Sequence, residues 1–148
     1  MILSKKSRYG LRALVDLAVN SNQNHMSLGS IAERNGISQQ YLEQVFAALR
    51  RAGILKSVKG PQGGYFLSRD AGEITVAEIV LALDGAYHVD PEKANPGTEI
   101  TGITETLQNM VIGPVNEKLD QVFQNVTLLD LENEYRKNNV DPSDMYYI

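Results

Sequence analysis

The sequence predicts a mainly α-helical protein with a small β-wing, in which a winged helix-turn-helix domain is joined to a long dimerisation helix. Residues 28–67 contain two amphipathic helical segments joined at a glycine, followed by two short strand segments around a glycine-rich turn. A second apolar stripe begins near residue 103 and is long for so small a protein. We therefore expect a DNA-binding domain over 1–84, a loop over 85–102, dimerisation helices over 103–137 and a C-terminal tail over 138–148.

Charge divides the chain into a basic and an acidic half. Residues 1–71 carry ten Lys or Arg against four Asp or Glu, a net +6, and residues 72–148 carry four against fourteen, a net −10. This division is typical of a polyanion-binding domain attached to an acidic module. Drift in surface composition is the alternative explanation.

The composition excludes several classes of site. There is no cysteine, so neither a disulfide nor a cysteine-ligated zinc site or iron–sulfur cluster can form. Two histidines and no nucleophile–base pair leave no catalytic machinery to assign, which predicts that the protein is not an enzyme. The N-terminal residues lack the apolar segment of a signal peptide and no apolar run is long enough to span a bilayer, so a cytoplasmic location is expected.

The first predicted helix covers residues 3–20 and begins with a basic turn. Ser4, Lys5 and Arg8 lie there, where positive charge opposes the helix dipole. Phosphates nearby would remove that penalty, which favours a contact with the DNA backbone. A solvated basic face is an equally good explanation of these residues taken alone.

Two further helices form the predicted helix-turn-helix. Ser27 has the chemistry of an N-cap, Gly36 suits a left-handed turn, Ser38 caps the third helix, and Gly53 follows its end. The outward face of the third helix can read base edges, because Gln pairs with adenine and Glu accepts from the cytosine amino group. A solvated polar face is the alternative, and the adjacent wing favours DNA reading. The residues on that face are Gln39, Gln40, Tyr41, Glu43 and Gln44, with Arg50 on its flank.

The wing is predicted as a strand over 54–59, a turn over 60–64 and a strand over 65–68. Lys59 stands at the turn, where it can reach a minor groove or a phosphate, beside Gly60, Pro61 and Gln62. A phosphate-cradling loop is the alternative, but the segment lacks the Gly-Lys-Ser/Thr ending and does not open a helix.

Residues 75–102 are predicted as a fourth helix and an irregular loop. Thr75 and Glu78 have the spacing of a capping box for a helix over 76–83 that packs on the winged domain. In the loop, His88, Asp90 and Glu92 are residue types that ligate metals. No cysteine or second histidine lies near them, so ordinary loop polarity is the better interpretation and no metal site is assigned.

A long helix is predicted from Ile103 to about Asn125. Its apolar stripe exceeds what the winged domain can cover, which predicts pairing with a second copy, whereas intramolecular packing is the alternative. Pro114 cannot donate to the Met110 carbonyl, so a kink or break is expected there. A capping box at Thr127 opens a last short helix that ends near residue 137. The predicted dimerisation residues are Leu107, Val111, Val115, Leu119 and Val122.

Three segments resemble the Rrf2 family of winged-helix regulators, the family of IscR, NsrR and CymR. They are Ser7-Arg8-Tyr9-Gly10, Ile37-Ser38 followed by Tyr41-Leu42-Glu43-Gln44, and Val58-Lys59-Gly60-Pro61 followed by Gly63-Gly64-Tyr65. The resemblance implies a homodimer that binds a pseudo-palindromic promoter site on double-stranded DNA and usually represses. It also implies that Ser38, Gln40, Tyr41, Glu43 and Gln44 read the major groove. In the wing, Lys59 stands where the family commonly has Arg.

The regulatory half differs from the cluster-binding members, which place three cysteines in the loop corresponding to residues 85–102. This chain has none there, so it resembles the cluster-free CymR branch that controls cysteine metabolism, and no cofactor is expected. That branch pairs with O-acetylserine sulfhydrylase (cysteine synthase), and the resemblance implies that Tyr147 and Ile148 contact this enzyme. A protein-interaction module and a small-molecule-responsive regulator of another pathway are the alternative functions.

Overall fold

The structure is a computed structural model that describes residues 2–21, 25–97 and 101–139. Seven α-helices and a two-stranded antiparallel sheet follow each other in the described chain, which confirms the mainly α-helical fold with a small β-wing. A 3-10 turn covers Ala71–Glu73, and a π-helical segment covers Gln108–Ile112 between α5 and α6. The elements are α1 (Lys5–Asn20), α2 (Leu28–Asn35), α3 (Gln39–Arg51), β1 (Leu55–Val58), β2 (Gly64–Leu67), α4 (Val76–Asp84), α5 (Thr101–Leu107), α6 (Gly113–Phe123) and α7 (Leu128–Asn138).

The predicted helix caps determine where the helices begin in the winged helix-turn-helix head, which comprises α1 to α4 with β1 and β2. The hydroxyl of Ser27 accepts from the Ser30 amide at 3.2 Å, and that of Ser38 accepts from the Tyr41 amide at 3.1 Å. Thr75 caps α4 in the same way, but the reciprocal half of the predicted box is missing because Glu78 bonds to Arg69 instead. These caps fix the residues at which α2 and α3 begin.

The core lies between α1, α2, α3 and α4. Leu14, Leu17, Phe46 and Ile79 are fully buried in it. The helices approach closely at Gly10, where a Cβ atom would lie 2.4 Å from Cδ1 of Leu83. This close approach gives a packing reason for the glycine of the Tyr9-Gly10 motif.

The wing is attached to the head by the connector that precedes α2. β1 and β2 pair in register from Leu55 opposite Leu67 to Val58 opposite Gly64. Met26 then pairs with the other edge of β2, since its amide donates to the Tyr65 carbonyl at 2.9 Å and its carbonyl accepts from the Tyr65 amide at 2.8 Å. A Cβ atom at Gly64 would lie 2.2 Å from the Met26 carbonyl oxygen, so only glycine fits this position.

The sequence predicts a kink or break at Pro114; the helix is not broken there, but its regular α-helical bonding is interrupted just before the proline. The amide of Gly113 bonds to the carbonyl of Gln108, five residues back, and the helix gains a π-helical segment just before the proline. This wider turn lets the helix continue although Pro114 has no backbone N–H to donate. Among the described helices, none combines the length and apolarity that a membrane crossing requires.

The last helix packs on the head rather than extending the long helix. Leu128 is fully buried in the main core, and α7 packs along α1. A short backbone bridge fixes its start, because the Val76 amide donates to Val126 at 2.9 Å and the Leu128 amide donates to Ile74 at 2.8 Å. The first turn of α7 therefore packs on the same core as α1 to α4.

Candidate DNA-binding surface

The first turns of α3 present polar side chains to solvent. Gln40, Glu43 and Gln44 are exposed, and within the described residues they make no side-chain hydrogen bond or ion pair. The opposite face of α3 is held by the core, including fully buried Leu42 and Val45, so the helix cannot rotate to hide them. The arrangement provides rigidly mounted amide and carboxylate groups that can bond to base edges.

Two further predicted residues of α3, Gln39 and Arg50, lie at its ends. Gln39 follows the cap, and its side-chain amide lies beside Gly29 of α2. Arg50 lies in the last turn, where its Nη1 atom donates to the hydroxyl of Ser57 in β1 at 3.3 Å. Arg50 therefore connects the helix to the wing, in addition to presenting a positive charge.

The exposed side of α1 joins α3 through an aromatic pair. Tyr9 and Tyr41 pack edge to face with their ring centroids 6.0 Å apart. Two cations lie over the Tyr9 ring, with Lys5 Nζ at 5.3 Å and the Arg12 guanidinium at 5.2 Å from its centroid. Sequence reasoning counted Arg12 among the basic residues of α1 that favour a backbone contact, but it did not assign Tyr9, although the spacings of four and three residues along one helix face would have placed them together.

Ser4 is already engaged in capping α1. Its hydroxyl accepts from the Ser7 amide at 3.2 Å and donates to Asp84, which also accepts from the Ser4 amide at 3.2 Å. Burial acts to raise the pKa of Asp84, but hydrogen bonding, from Ser4 first, and nearby positive charge together hold that pKa below its usual value. The predicted DNA contact by Ser4 therefore competes with a bond that ties α1 to the end of α4. Lys5 and Arg8, in the same turns, remain exposed.

The tip of the wing is exposed beside α3. Lys59, Gly60, Pro61 and Gln62 all face solvent, and Gly60 adopts a φ of +110° that favours glycine. The ring of His25 donates from Nε2 to the Gln62 carbonyl. Sequence reasoning missed this contact, because nothing in the sequence near His25 indicates that the connector lies against the wing.

The loop after α4 is bonded to α6. The hydroxyl of Tyr87 and Nε2 of His88 both bond to Oδ1 of Asp120, at 2.6 Å and 2.7 Å. The Tyr87 and His88 hydrogen bonds lower the pKa of Asp120, whereas burial, together with the same bond, raises the pKa of Tyr87. Asn116 clamps the backbone of Val89, donating to its carbonyl at 3.0 Å and accepting from its amide at 2.8 Å.

A row of apolar side chains on the long helix faces solvent. Of the predicted dimerisation residues, Leu107, Val111, Val115 and Val122 are between 40% and 53% exposed, and Leu119 is half-buried. Met110, at 72% exposed, extends the row, whereas Phe123 turns into the chain's own core beside Tyr87. Such a continuous apolar surface is unusual on an isolated protein and is typical of an interface.

Comparison with known proteins identifies the family. The sequence profile of the family described as "Rrf2: Iron-dependent Transcriptional regulator" matches residues 3–134. The chain belongs to the Rrf2 family. Rrf2 proteins are transcriptional regulators rather than enzymes, and the chain is accordingly a DNA-binding regulator.

Individual Rrf2 proteins match along most of their length. The chain is 39% identical to the HTH-type transcriptional regulator IscR of Klebsiella pneumoniae over 133 residues, which are 90% of this chain and 80% of that protein. Among solved structures, the global cysteine regulator CymR of B. subtilis superposes with a TM-score of 0.75 at 31% identity, covering 90% of this chain and 98% of CymR. IscR of T. potens superposes with a TM-score of 0.74 at 34% identity, covering 99% and 97%.

The family description names iron, but the donors present here do not fit a cysteine-ligated cluster. The sequence has no cysteine. In the described part of the chain, no three His, Asp or Glu side chains come together in a way that could hold a metal ion. His88, the histidine of the loop, is instead bonded to Asp120.

Proposed function

We propose that this Rrf2 protein is a repressor that binds a pseudo-palindromic promoter site as a homodimer in the cytoplasm. The observation that carries the proposal is the exposed amide and carboxylate row of Gln40, Glu43 and Gln44, held beside a basic wing. Unpaired groups of this kind on the first turns of a recognition helix match the chemistry of the major groove. In a repressor, occupation of the promoter site would exclude the transcription machinery.

We assign the reading of base edges and the anchoring to the DNA backbone to different residues. Gln40 and Gln44 pair with adenine edges, and Glu43 accepts from a cytosine amino group. Lys59 in the wing and Lys5 and Arg8 on α1 bind phosphates, which position the protein without selecting sequence. The other predicted contacts support these residues, namely Ser38, Gln39, Tyr41, Arg50, Gly60, Pro61 and Gln62.

The homodimer is supported by the exposed apolar row on the long helix. Met110, Val111, Val115 and Val122 line a shallow depression of about 460 Å³ together with Pro114 and Leu119. Covering this surface with the same surface of a second copy gives a two-fold symmetric pair. Two recognition helices then meet half-sites about one helical turn apart, or a multiple of it.

Base reading is tested by selecting bound sequences from random duplex DNA and then comparing variants on the selected site. Glu43→Ala should relax base preference at one position in each half-site, at a cost of about 1–3 kcal/mol on the preferred site. Lys59→Ala should weaken binding about equally on all sequences. Lys137→Ala, which removes an exposed charge from α7, is the control and should leave both base preference and overall affinity unchanged. If no sequence is enriched, the assignment of a specific operator is wrong.

Dimerisation is tested by placing a charge in the apolar row. Val115→Lys should shift the protein toward monomer in sedimentation velocity, because it would bury an unpaired ammonium at the interface. Glu117→Lys adds the same side chain at an exposed position outside the row and serves as control. A dimer that tolerates Val115→Lys as well as Glu117→Lys would place the interface elsewhere.

Control of cysteine metabolism is the pathway that we propose, supported by the similarity to the global cysteine regulator CymR. The test is whether the selected operator occurs upstream of genes for sulfur assimilation. Binding to O-acetylserine sulfhydrylase is a separate prediction that rests on resemblance alone, and Tyr147 and Ile148 lie outside the described residues. Deletion of these two residues should abolish capture of that enzyme while the dimer persists, and an unchanged complex would exclude this binding mode.

A further inference from the structure

A cavity of about 700 Å³ lies between α1, the end of α2 and α7, away from the loop after α4. Its wall is formed by the apolar side chains of Leu11, Val15, Val19 and Leu131. Arg136 of α7 donates from its Nη2 atom to the carbonyl of Val19 at 3.0 Å, which ties α7 to the end of α1. A volume of this size lies within the range of small-molecule sites, which is about 300–1,000 Å³.

The charges that line the cavity do not balance. Asp16 is the only acid among the lining residues, and four bonds already occupy its carboxylate. These come from Arg34 Nη2 at 2.5 Å and Nε at 3.2 Å, Asn35 at 2.8 Å and Asn20 at 2.6 Å. Arg34 is thereby neutralised, whereas the other two arginines of the lining, Arg8 and Arg12, have no acidic partner among the residues that the structure describes.

Arg12 is therefore available to an anion, and Arg8, which the proposed function places on a DNA phosphate, lies beside it. Arg8 makes no hydrogen bond or ion pair within the described chain, and Arg12 has only the face of Tyr9, 5.2 Å away. They lie one helical turn apart on α1 beside the apolar wall. A carboxylate or phosphate can bond to such guanidinium groups, while an attached apolar body fills the cavity.

We propose that this cavity binds a small organic anion with an apolar body, and that Arg12 links its occupancy to the recognition helix through Tyr9 and Tyr41. Tyr9 packs edge to face on Tyr41, a predicted reading residue at the start of α3. An anion that draws Arg12 away from the Tyr9 ring removes one contact that holds this pair. Only this second part, the link to DNA, rests on the proposed function.

Binding is tested directly, without DNA, by isothermal titration of the full-length protein. The probes are hydrocinnamate, hexanoate and phenyl phosphate. Acetate has the charge without the apolar body, and hydrocinnamyl alcohol has the body without the charge. At least one probe should bind saturably, and both control compounds should bind at least about tenfold more weakly. Arg12→Met should weaken the probe at least about tenfold, whereas Lys137→Met, outside the cavity, should not.

The link to DNA is tested by measuring affinity for the selected operator with and without the bound probe. The bound probe should change the operator affinity about two- to fivefold in the wild type, as expected from one cation–π contact, and should leave it unchanged in Tyr9→Leu. Circular dichroism establishes that Arg12→Met and Tyr9→Leu are folded.

Saturable probe binding by a protein that binds no DNA would support the cavity and overturn the proposed function. DNA binding without saturable binding of any probe would overturn the cavity site. If no probe binds and Arg12→Met changes the dissociation constant of the dimer, the cavity is part of the interface with a second copy. That result would also overturn the small-molecule site.

Discussion

Leu128 provides a direct test of where α7 belongs. Its side chain is fully buried in the main core, although it lies far along the chain from the helix-turn-helix. Its neighbour Leu129, in the same turn, is 41% exposed. Leu128→Ala and Leu129→Ala therefore remove the same atoms from adjacent positions that differ in burial.

The expected difference is large. Deleting a fully buried leucine side chain to alanine costs about 3–5 kcal/mol, because transfer energy is lost and a cavity remains. The partly exposed leucine should cost about 1 kcal/mol or less. Since a domain of this size has a free energy of unfolding of about 5–15 kcal/mol, Leu128→Ala alone should remove about 30–50% of the total if that total is near 10 kcal/mol.

Urea unfolding followed by circular dichroism measures both variants. Protein concentrations are matched, because dimer formation adds to the apparent stability of each. The dependence of the unfolding free energy on urea should stay the same, which indicates that the unfolding unit is unchanged. If Leu128→Ala costs no more than Leu129→Ala, α7 is not part of the core of the head.

Two further predictions concern the wing and the first helix. Gly64→Ala should cost about 2 kcal/mol or more and weaken operator binding, since its Cβ atom would meet the Met26 carbonyl at 2.2 Å. Gly72→Ala, whose Cβ atom would lie 3.4 Å from a Leu129 methyl group, is the control, and equal effects in urea unfolding would contradict the wing contact. Asp84→Asn should cost about 1–2 kcal/mol at neutral pH through the weakened Ser4 bonds. Because the pKa of Asp84 is lowered in the folded protein, this contribution is present above about pH 4 and is lost as the pH falls through the folded value. If the difference in unfolding free energy between wild type and Asp84→Asn grows as the pH is lowered, this assignment is wrong.

Local sequence signals predicted the head well. Ser27, Ser38 and Thr127 were recognised as caps because a cap depends on a hydroxyl and an amide only three residues away. The apolar spacing of α3 identified its buried face for a similar reason, and the outward face followed from it. Elements whose geometry depends on near neighbours in sequence were therefore predictable.

The remaining features depend on contacts between distant residues. The wing docks on Met26, and α7 docks on Ile74, through backbone bonds that carry no residue signature. The π-helical segment before Pro114 was missed for another reason, because proline predicts a lost bond but not how the helix compensates for it. The cavity lined by Arg8 and Arg12 was likewise unpredictable, since its opposite wall comes from α7.

The most direct test of the account is the salt dependence of operator binding, measured by fluorescence anisotropy for the wild type, Lys59→Ala and Glu43→Ala. The logarithm of the wild-type affinity should fall linearly with the logarithm of salt concentration, with a slope of about −5 or steeper for a dimer that contacts six or more phosphates. Lys59→Ala should reduce the slope by about 2, one phosphate for each copy, whereas Glu43→Ala should leave the slope unchanged and alter base preference. A wild-type affinity that stays flat between low and moderate salt would contradict the assignment of this surface to DNA.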